Sequence, residues 1–183
     1  MLFYEESFWD WLSVLVVIML YAAYGSNLHP DRLRERVPSA CLRGSAVLEG
    51  WGLRFEKRSP DGSSKCSVVP SSEILHVAVY EMLPAEKPIL DQFEHAGIGY
   101  VEQEIHVPGF GTCFWYVAHE SHVDPHLRPY GWYKELVLVG CGHHQFPSDY
   151  VERIRQVPHI EDPDVQRHEK WMSLVNHIQH SSL

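Results

Sequence analysis

Cysteine is scarce in this chain, and none of it is paired in the sequence. Cys41, Cys66, Cys113 and Cys141 are the four among 183 residues, and no two are spaced as C-x-x-C. A chain of this length buries a core without staples, so free thiols in a reducing compartment are expected. Positive charge is short as well. Fifteen Lys and Arg stand against 24 Asp and Glu, a formal charge of −9, with no basic stripe to neutralise phosphates. That argues against a nucleic-acid partner. No apolar run reaches the roughly 18–20 residues that span a bilayer. The most apolar stretch, Trp11 to Tyr24, follows Glu5, Glu6 and Asp10, where a secretory signal would carry Lys or Arg. It flows into a polar turn with no small-residue cleavage site. The expectation is a cytoplasmic protein without a membrane partner, and Met19 stands where a shorter chain could begin. A G-x-S-x-G elbow is missing too, which leaves Ser26 without the setting of a nucleophile.

What is present centres on Tyr21-Ala22-Ala23-Tyr24-Gly25-Ser26-Asn27-Leu28. The preceding Val, Leu and Ile are the content of a strand buried on both faces, here read as Val14–Ala23. Gly25, Ser26 and Asn27 tolerate tight or left-handed turns. His29-Pro30-Asp31-Arg32-Leu33 has Pro and Asp in a helical first turn. A strand, a polar turn and a helix start gather backbone N–H groups into one concavity, which suits a carboxylate or an oxyanion. Short loops of this kind are also commonplace connections.

Downstream, strands alternate with turns. Arg32–Arg36 continues a short helix that Val37-Pro38 ends. Cys41–Phe55 reads as strands with a bend at Gly50 and Gly52, and Ser59-Pro60-Asp61-Gly62-Ser63 as a turn. Ile74–Met82, Tyr100–Val107 and Thr112–His119 are strands, the last two joined through Pro108-Gly109-Phe110-Gly111. Lys87–His95 is a short helix ended by Gly97. Tyr130–Gly142 is an amphipathic stretch with a helix at Trp132–Val139, and Pro147–Val157 is a further helix. Helical spacing of Trp171, Leu174, Val175 and Ile178 marks the tail. The fold class is α+β: a single domain over residues 13–158, a mixed twisted sheet or partly closed barrel with short flanking helices. Residues 1–12 form an extension. The tail, 159–183, either packs on the domain or joins two copies into a homodimer.

With these elements placed, the chain resembles the γ-glutamylcyclotransferase family. The resemblance rests on Tyr24-Gly25-Ser26-Asn27-Leu28 after a hydrophobic strand, and on Val37-Pro38-Ser39-Ala40 closing the next helix. It continues through Leu90-Asp91-Gln92-Phe93-Glu94, Tyr100, Tyr133-Lys134 leading to Gly140, and then Pro147 and Tyr150. It spans about residues 19–157.

The resemblance implies an enzyme that releases 5-oxoproline from a γ-glutamyl compound, with no cofactor and no metal. The substrate's α-amine attacks its own γ-carbonyl and expels an amine or amino acid. Such a protein bends the glutamyl chain, takes a proton from the ammonium and stabilises an oxyanion. By position in the motif the proton acceptor is Glu94, a task that suits a carboxylate whose pKa burial has raised. Tyr21, Ala22, Ala23, Tyr24, Gly25, Ser26 and Asn27 align with the substrate-binding segment, and Tyr100 and Tyr133 are candidates for hydroxyl contacts at its rim. Asp91, one turn before Glu94, serves as a cap or an orienting group. The implied substrates are γ-glutamyl amino acids or amines, γ-glutamyl-ε-lysine among them, with glutathione less favoured. A non-catalytic γ-glutamyl-binding protein on the same fold is the alternative. One departure stands out: His95-Ala96-Gly97 follows Glu94 where the family often has Gly at once, which bears on the placement of Tyr100.

Two other clusters compete for attention. His119, His122, Asp124 and His126 share one loop, and His143-His144 lie further on; such residues can hold zinc, but no second half of a site is evident. Cys141 between two glycines reads as packing more readily than as a nucleophile.

Overall fold

The computed structural model describes residues 17–181. In chain order it contains β1 (Met19–Ala23), α1 (Pro30–Arg34), a long hairpin β2 (Cys41–Arg58) and β3 (Ser64–Met82), and α2 (Lys87–Glu94). A second hairpin follows, β4 (Tyr100–Val107) and β5 (Gly111–Ala118), then α3 (Gly131–His143), α4 (Ser148–Arg155) and α5 (Val165–Ser181). The strands form one twisted sheet of order β2-β3-β1-β5-β4. β1 is antiparallel to β3 and parallel to β5, so the sheet is mixed, and it stays open with β2 and β4 at its edges. Lying between two neighbours, β1 is buried from Tyr21 to Ala23. The strand is shorter than the apolar run suggests. Residues 14–16 fall outside the described part, Val17 and Ile18 are exposed, and pairing starts at Met19 because its partner Met82 is the last residue of β3. There the chain meets Pro84, which has no N–H to donate.

The turn between β2 and β3 closes as its residues require: Asp61 Oδ1 accepts from Ser63 N–H at 3.0 Å, and Gly62 takes a φ of +87°. Register shifts interrupt the hairpin between Leu42 and Gly44, Glu49 and Trp51, and Phe55 and Lys57. The last of these sets Lys57 opposite Lys65. α2 ends in a left-handed residue already at His95, with φ +52°, two positions before Gly97, which is left-handed as well at φ +82°. Its neighbour Ala96 donates its N–H to Asp91 O at 2.9 Å and closes the helix there.

The amphipathic helix expected near Trp132–Val139 is longer, Gly131–His143, and it is central. Trp132, Tyr133, Lys134, Leu136, Val137, Leu138, Gly140 and Cys141 are all buried, because α4 and α5 cover the side that the sheet does not. The buried Lys134 ammonium donates to the carbonyls of Arg155 (3.0 Å) and Val157 (2.9 Å). It satisfies the open end of α4, which is where a cation is favoured. The tail packs on the domain through Val175 and Ile178. Asp162 ties it down, accepting from Trp132 Nε1 at 2.8 Å and from the Arg167 guanidinium. The Arg167 hydrogen bond, ahead of other causes, holds the Asp162 carboxyl down at about 2. Among the described residues no helix is long and apolar enough to cross a membrane.

α3 also approaches the Tyr24–Leu28 turn very closely. A Cβ on Gly140 would stand 2.4 Å from Leu28 Cβ and 3.2 Å from His29 N. Gly140→Ala is therefore expected to force the helix off the turn, at a cost of about 1–3 kcal/mol for an overpacked contact. Urea unfolding of the two proteins measures it, and equal midpoints would mean that the helix has room to spare.

Candidate functional site

The site is assembled where β1 ends. Leu28 N–H closes the turn onto Gly25 O at 3.0 Å. The Leu28 carbonyl is held in turn by Tyr80 Oη at 2.6 Å and by His144 Nε2 at 2.7 Å, so the imidazole carries its proton on that nitrogen. Gly25 does not use its freedom to adopt a left-handed φ. Its missing side chain serves a close approach instead, since a Cβ there would lie 3.1 Å from Cys66 Cβ. Among the described residues nothing accepts from the N–H groups of Ser26 and Asn27.

Glu94, on the last turn of α2, meets this turn. Its Oε1 accepts from Asn27 Nδ2 at 2.9 Å and from the Arg36 guanidinium at 2.7 Å, and Arg36 also donates to Asn27 Oδ1 at 3.1 Å. The Glu94 and Arg36 side chains are 16% and 13% exposed, so this is a largely desolvated pair with a neutral amide as third member. Among the described residues Oε2 has no partner. One carboxylate oxygen is anchored and the other is available.

Beneath lies a floor of tyrosines. Tyr21 Oη accepts from Asn27 Nδ2 at 3.1 Å, and Tyr24 Oη donates to the Tyr116 carbonyl. Tyr100 Oη donates to Cys66 O at 2.6 Å, whereas Tyr133 Oη accepts from Cys66 N–H at 3.0 Å. That difference matters, because a phenol has one proton to give: Tyr100 has spent its own on a carbonyl, whereas the Tyr133 proton has only the weakly accepting Cys66 thiol beside it among the described residues. Burial pushes the pKa of Tyr21, Tyr24, Tyr100 and Tyr133 upward, so all four remain phenols. Asp91 accepts from Tyr116 Oη at 2.6 Å and from Lys87 Nζ at 2.8 Å, an orienting role.

Tyr21, Tyr24, Gly25, Ser26, Asn27, Glu94, Tyr100 and Tyr133 thus share one small cavity, joined by Cys66 and Tyr116. It adjoins a wider one of about 260 Å³, to which Ser26, Glu94, Tyr100 and Tyr133 also contribute. Tyr100 and Tyr133 stand in the floor and not at the rim. Ala22 and Ala23 do not line either cavity; they are fully buried opposite Val79 and Ala78 of β3. Arg36, Tyr116, Lys57 and, from the tail, Arg167 and Trp171 escaped the sequence reading. Arg36 is one of three arginines in Arg32–Arg36 with no local feature to set it apart, and nothing in the tail's helical spacing pointed toward this cavity.

The other clusters do not converge. Among the described residues no group of three or more His, Cys, Asp or Glu could hold a metal ion, and His119 and His122 both bond to Ser121 Oγ. All four cysteines are free. Burial pushes the Cys66 and Cys141 thiols up to about 12, which removes them as nucleophiles near neutral pH.

The chain is similar to known proteins in sequence and in fold. The γ-glutamylcyclotransferases of Mus musculus and Homo sapiens are each 29% identical to the chain over 150 residues, 75% of it and 78% of their own length. No protein-family profile matches. A solved γ-glutamyl cyclotransferase superposes with a TM-score of 0.77 at 24% identity, over 88% of this chain and 99% of that one. A Homo sapiens protein solved as uncharacterised gives 0.73 at 23%, over 87% and 98%. The chain is γ-glutamylcyclotransferase-like in sequence and in fold. Within this γ-glutamylcyclotransferase-like fold the larger of the cavities is not the one at the motif. A groove of about 840 Å³ lies beside α1, α3 and α5 and excludes Glu94. Volume does not select the site here; the convergence of polar groups does.

His29 borders that groove and is 3% exposed. Its Nδ1 accepts from Asp31 N–H at 3.2 Å, so the neutral ring carries its proton on Nε2, which is buried without a partner among the described residues. Burial lowers its pKa to about 4, with His143 adding to the effect. The folded protein therefore resists a proton that the unfolded chain accepts at 6.5, and stability falls as pH drops from 6.5 toward 4. The loss is on the order of 3 kcal/mol. His29→Leu is expected to lose correspondingly less over the same window in urea titrations; parallel pH profiles would show that the ring takes up its proton without strain.

Proposed function

We propose that the protein is a γ-glutamylcyclotransferase that forms 5-oxoproline by intramolecular aminolysis. The observation that carries the reading is Glu94, with Oε1 anchored by Asn27 and Arg36 and Oε2 open to a cavity that also presents Ser26 and Tyr133. The curated relatives named γ-glutamylcyclotransferase support it. Glu94 takes a proton from the substrate's α-ammonium. The freed amine attacks the γ-carbonyl carbon, a C–N bond forms, and the carbonyl oxygen gains negative charge. The unpartnered N–H groups of Ser26 and Asn27 and the remaining Tyr133 proton are the donors that meet this charge. The C–N bond to the leaving amine then breaks as Glu94 returns its proton to the departing nitrogen; the ring nitrogen gives up its second proton to the same carboxylate, which passes it to the amine as it leaves as an ammonium ion, and Glu94 is again a carboxylate. No covalent enzyme intermediate is needed, and most of the acceleration comes from holding the glutamyl chain bent. The substrate class is γ-glutamyl amino acids and γ-glutamyl amines.

The test is 5-oxoproline release from a panel of such compounds by wild type and Glu94→Gln. Glu94→Gln keeps the shape and the acceptor of the Asn27 bond but cannot take a proton, so kcat is expected to fall about 10²–10⁴-fold; it also leaves the Arg36 charge unmatched and lowers the melting temperature, so turnover is compared at a temperature where both proteins are folded. Ligand binding without turnover in either protein would point to the non-catalytic binding role instead.

A further inference from the structure

The wider cavity in front of Glu94 is rich in cations, and all but one of them are matched. Arg32 bonds Glu35 at 2.9 Å, Arg36 bonds Glu94 at 2.7 Å, Lys65 bonds Asp61 at 2.7 Å, and Arg167 is paired with Asp162. Lys57 has no carboxylate and no hydrogen-bond acceptor among the described residues, although it is only 3% exposed. Its ammonium rests 4.6 Å from the centre of the Tyr100 ring, a contact that offsets part of the lost hydration but none of the charge. Burial draws its pKa down; Glu94 opposes the shift and Lys65 reinforces it.

This placement is built. The register shift at Phe55–Lys57 sets Lys57 opposite Lys65, as bulges beside active sites commonly re-aim a side chain. The loop before β4 then covers it: a Cβ on Gly99 would stand 2.7 Å from both Lys57 Cε and Nζ. A buried cation without a counter-ion, on the wall of a cavity, is a group that lacks its anion until a ligand enters. Resting on the cyclotransferase reading, we propose that Lys57 binds the carboxylate of the leaving amino acid and makes the enzyme selective for γ-glutamyl derivatives of amino acids over those of simple amines. The glutamyl α-carboxylate is a poorer match. It shares a carbon with the ammonium that Glu94 serves and so stays at the Glu94 end of the site, whereas in this reading the leaving group extends from the γ-carbonyl into the cation-lined space.

The experiment compares γ-glutamyl-alanine with γ-glutamyl-ethylamine, two compounds that differ only by that carboxylate. Turnover is measured with wild type, Lys57→Met and Gly99→Ala, and binding by calorimetry in the Glu94→Gln background. The alanine compound is expected to bind and react better with wild type by about 10–100-fold, the worth of a charge-assisted contact. In Lys57→Met that preference should collapse, because the alanine compound weakens and the ethylamine compound does not. Gly99→Ala keeps the charge and displaces the ammonium, so it should move the preference in the same direction, and it serves as the test if Lys57→Met fails to fold. Equal weakening of both compounds would assign Lys57 to the glutamyl carboxylate and overturn the proposal. An unchanged preference would overturn it also and leave Lys57 as packing. If wild type turned over neither compound and Glu94→Gln bound neither, the cyclotransferase reading itself would fall, and the Lys57 assignment with it.

Discussion

A carboxylate that is mostly withdrawn from water must be bonded, and Glu94 is the group on which that constraint falls. Its partners come from two other places in the chain. Asn27 lies on the turn after β1, and Arg36 just beyond α1. The ion pair therefore fixes the end of α2 against the end of the central strand, and the Arg36–Asn27 bond locks the third side of the triangle. Deleting one partner of such a desolvated pair leaves an uncompensated charge, typically at about 3–5 kcal/mol. The same bonds leave Oε2 unclaimed. One oxygen of the side chain thus carries the anchoring bonds while the other is left open, and the fold is arranged so that both conditions hold.

The tyrosine floor answers a related problem. A cavity at the end of a buried strand must be lined by residues that pack like apolar ones yet present polar atoms. Tyr21, Tyr24, Tyr100 and Tyr133 do this with rings in the core and hydroxyls in a shared network. The Cys66 backbone receives two of them, one as acceptor and one as donor. That asymmetry decides which hydroxyl retains a proton, and it depends on β3, which pairs with β1 and carries Cys66. The sheet thereby sets the hydrogen-bonding polarity of the site as well as its shape.

Much of this was legible in the residues. The buried strand, the turn at Gly25–Asn27, the Pro30 helix start and both β4 and β5 follow from local patterns, and Glu94 was found through its motif. What was not legible depended on distance in the chain. Local chemistry put the end of α2 at Gly97, but a hydrogen bond from Ala96 to Asp91 placed a left-handed residue already at His95. The amphipathic reading of α3 failed because α5, more than twenty residues away, covers its second side. Arg36 was only the end of a short helix in the sequence, and what covers it, Phe93 and Glu94, arrives from 57 and 58 residues further on. Lys134 had the sequence context of a site residue through its neighbour Tyr133, yet its ammonium turns away to the carbonyls that end α4.

The charges near the site sort themselves by distance from the bond that changes. In the proposed reaction Glu94, the Ser26 and Asn27 amides and Tyr133 act where a proton moves and an oxyanion grows, so their interactions strengthen between ground state and transition state. In the role proposed for it, Lys57 meets a carboxylate that has the same charge throughout the reaction. A contact of that kind stabilises both states alike, which lowers KM and leaves kcat nearly untouched. Cyclisation tolerates such a division well, because nucleophile and electrophile belong to one molecule and need only be held close. Recognition of the leaving group can then be placed on a separate buried cation, supplied by an irregular turn of an edge strand, without disturbing the geometry of the carboxylate that does the chemistry.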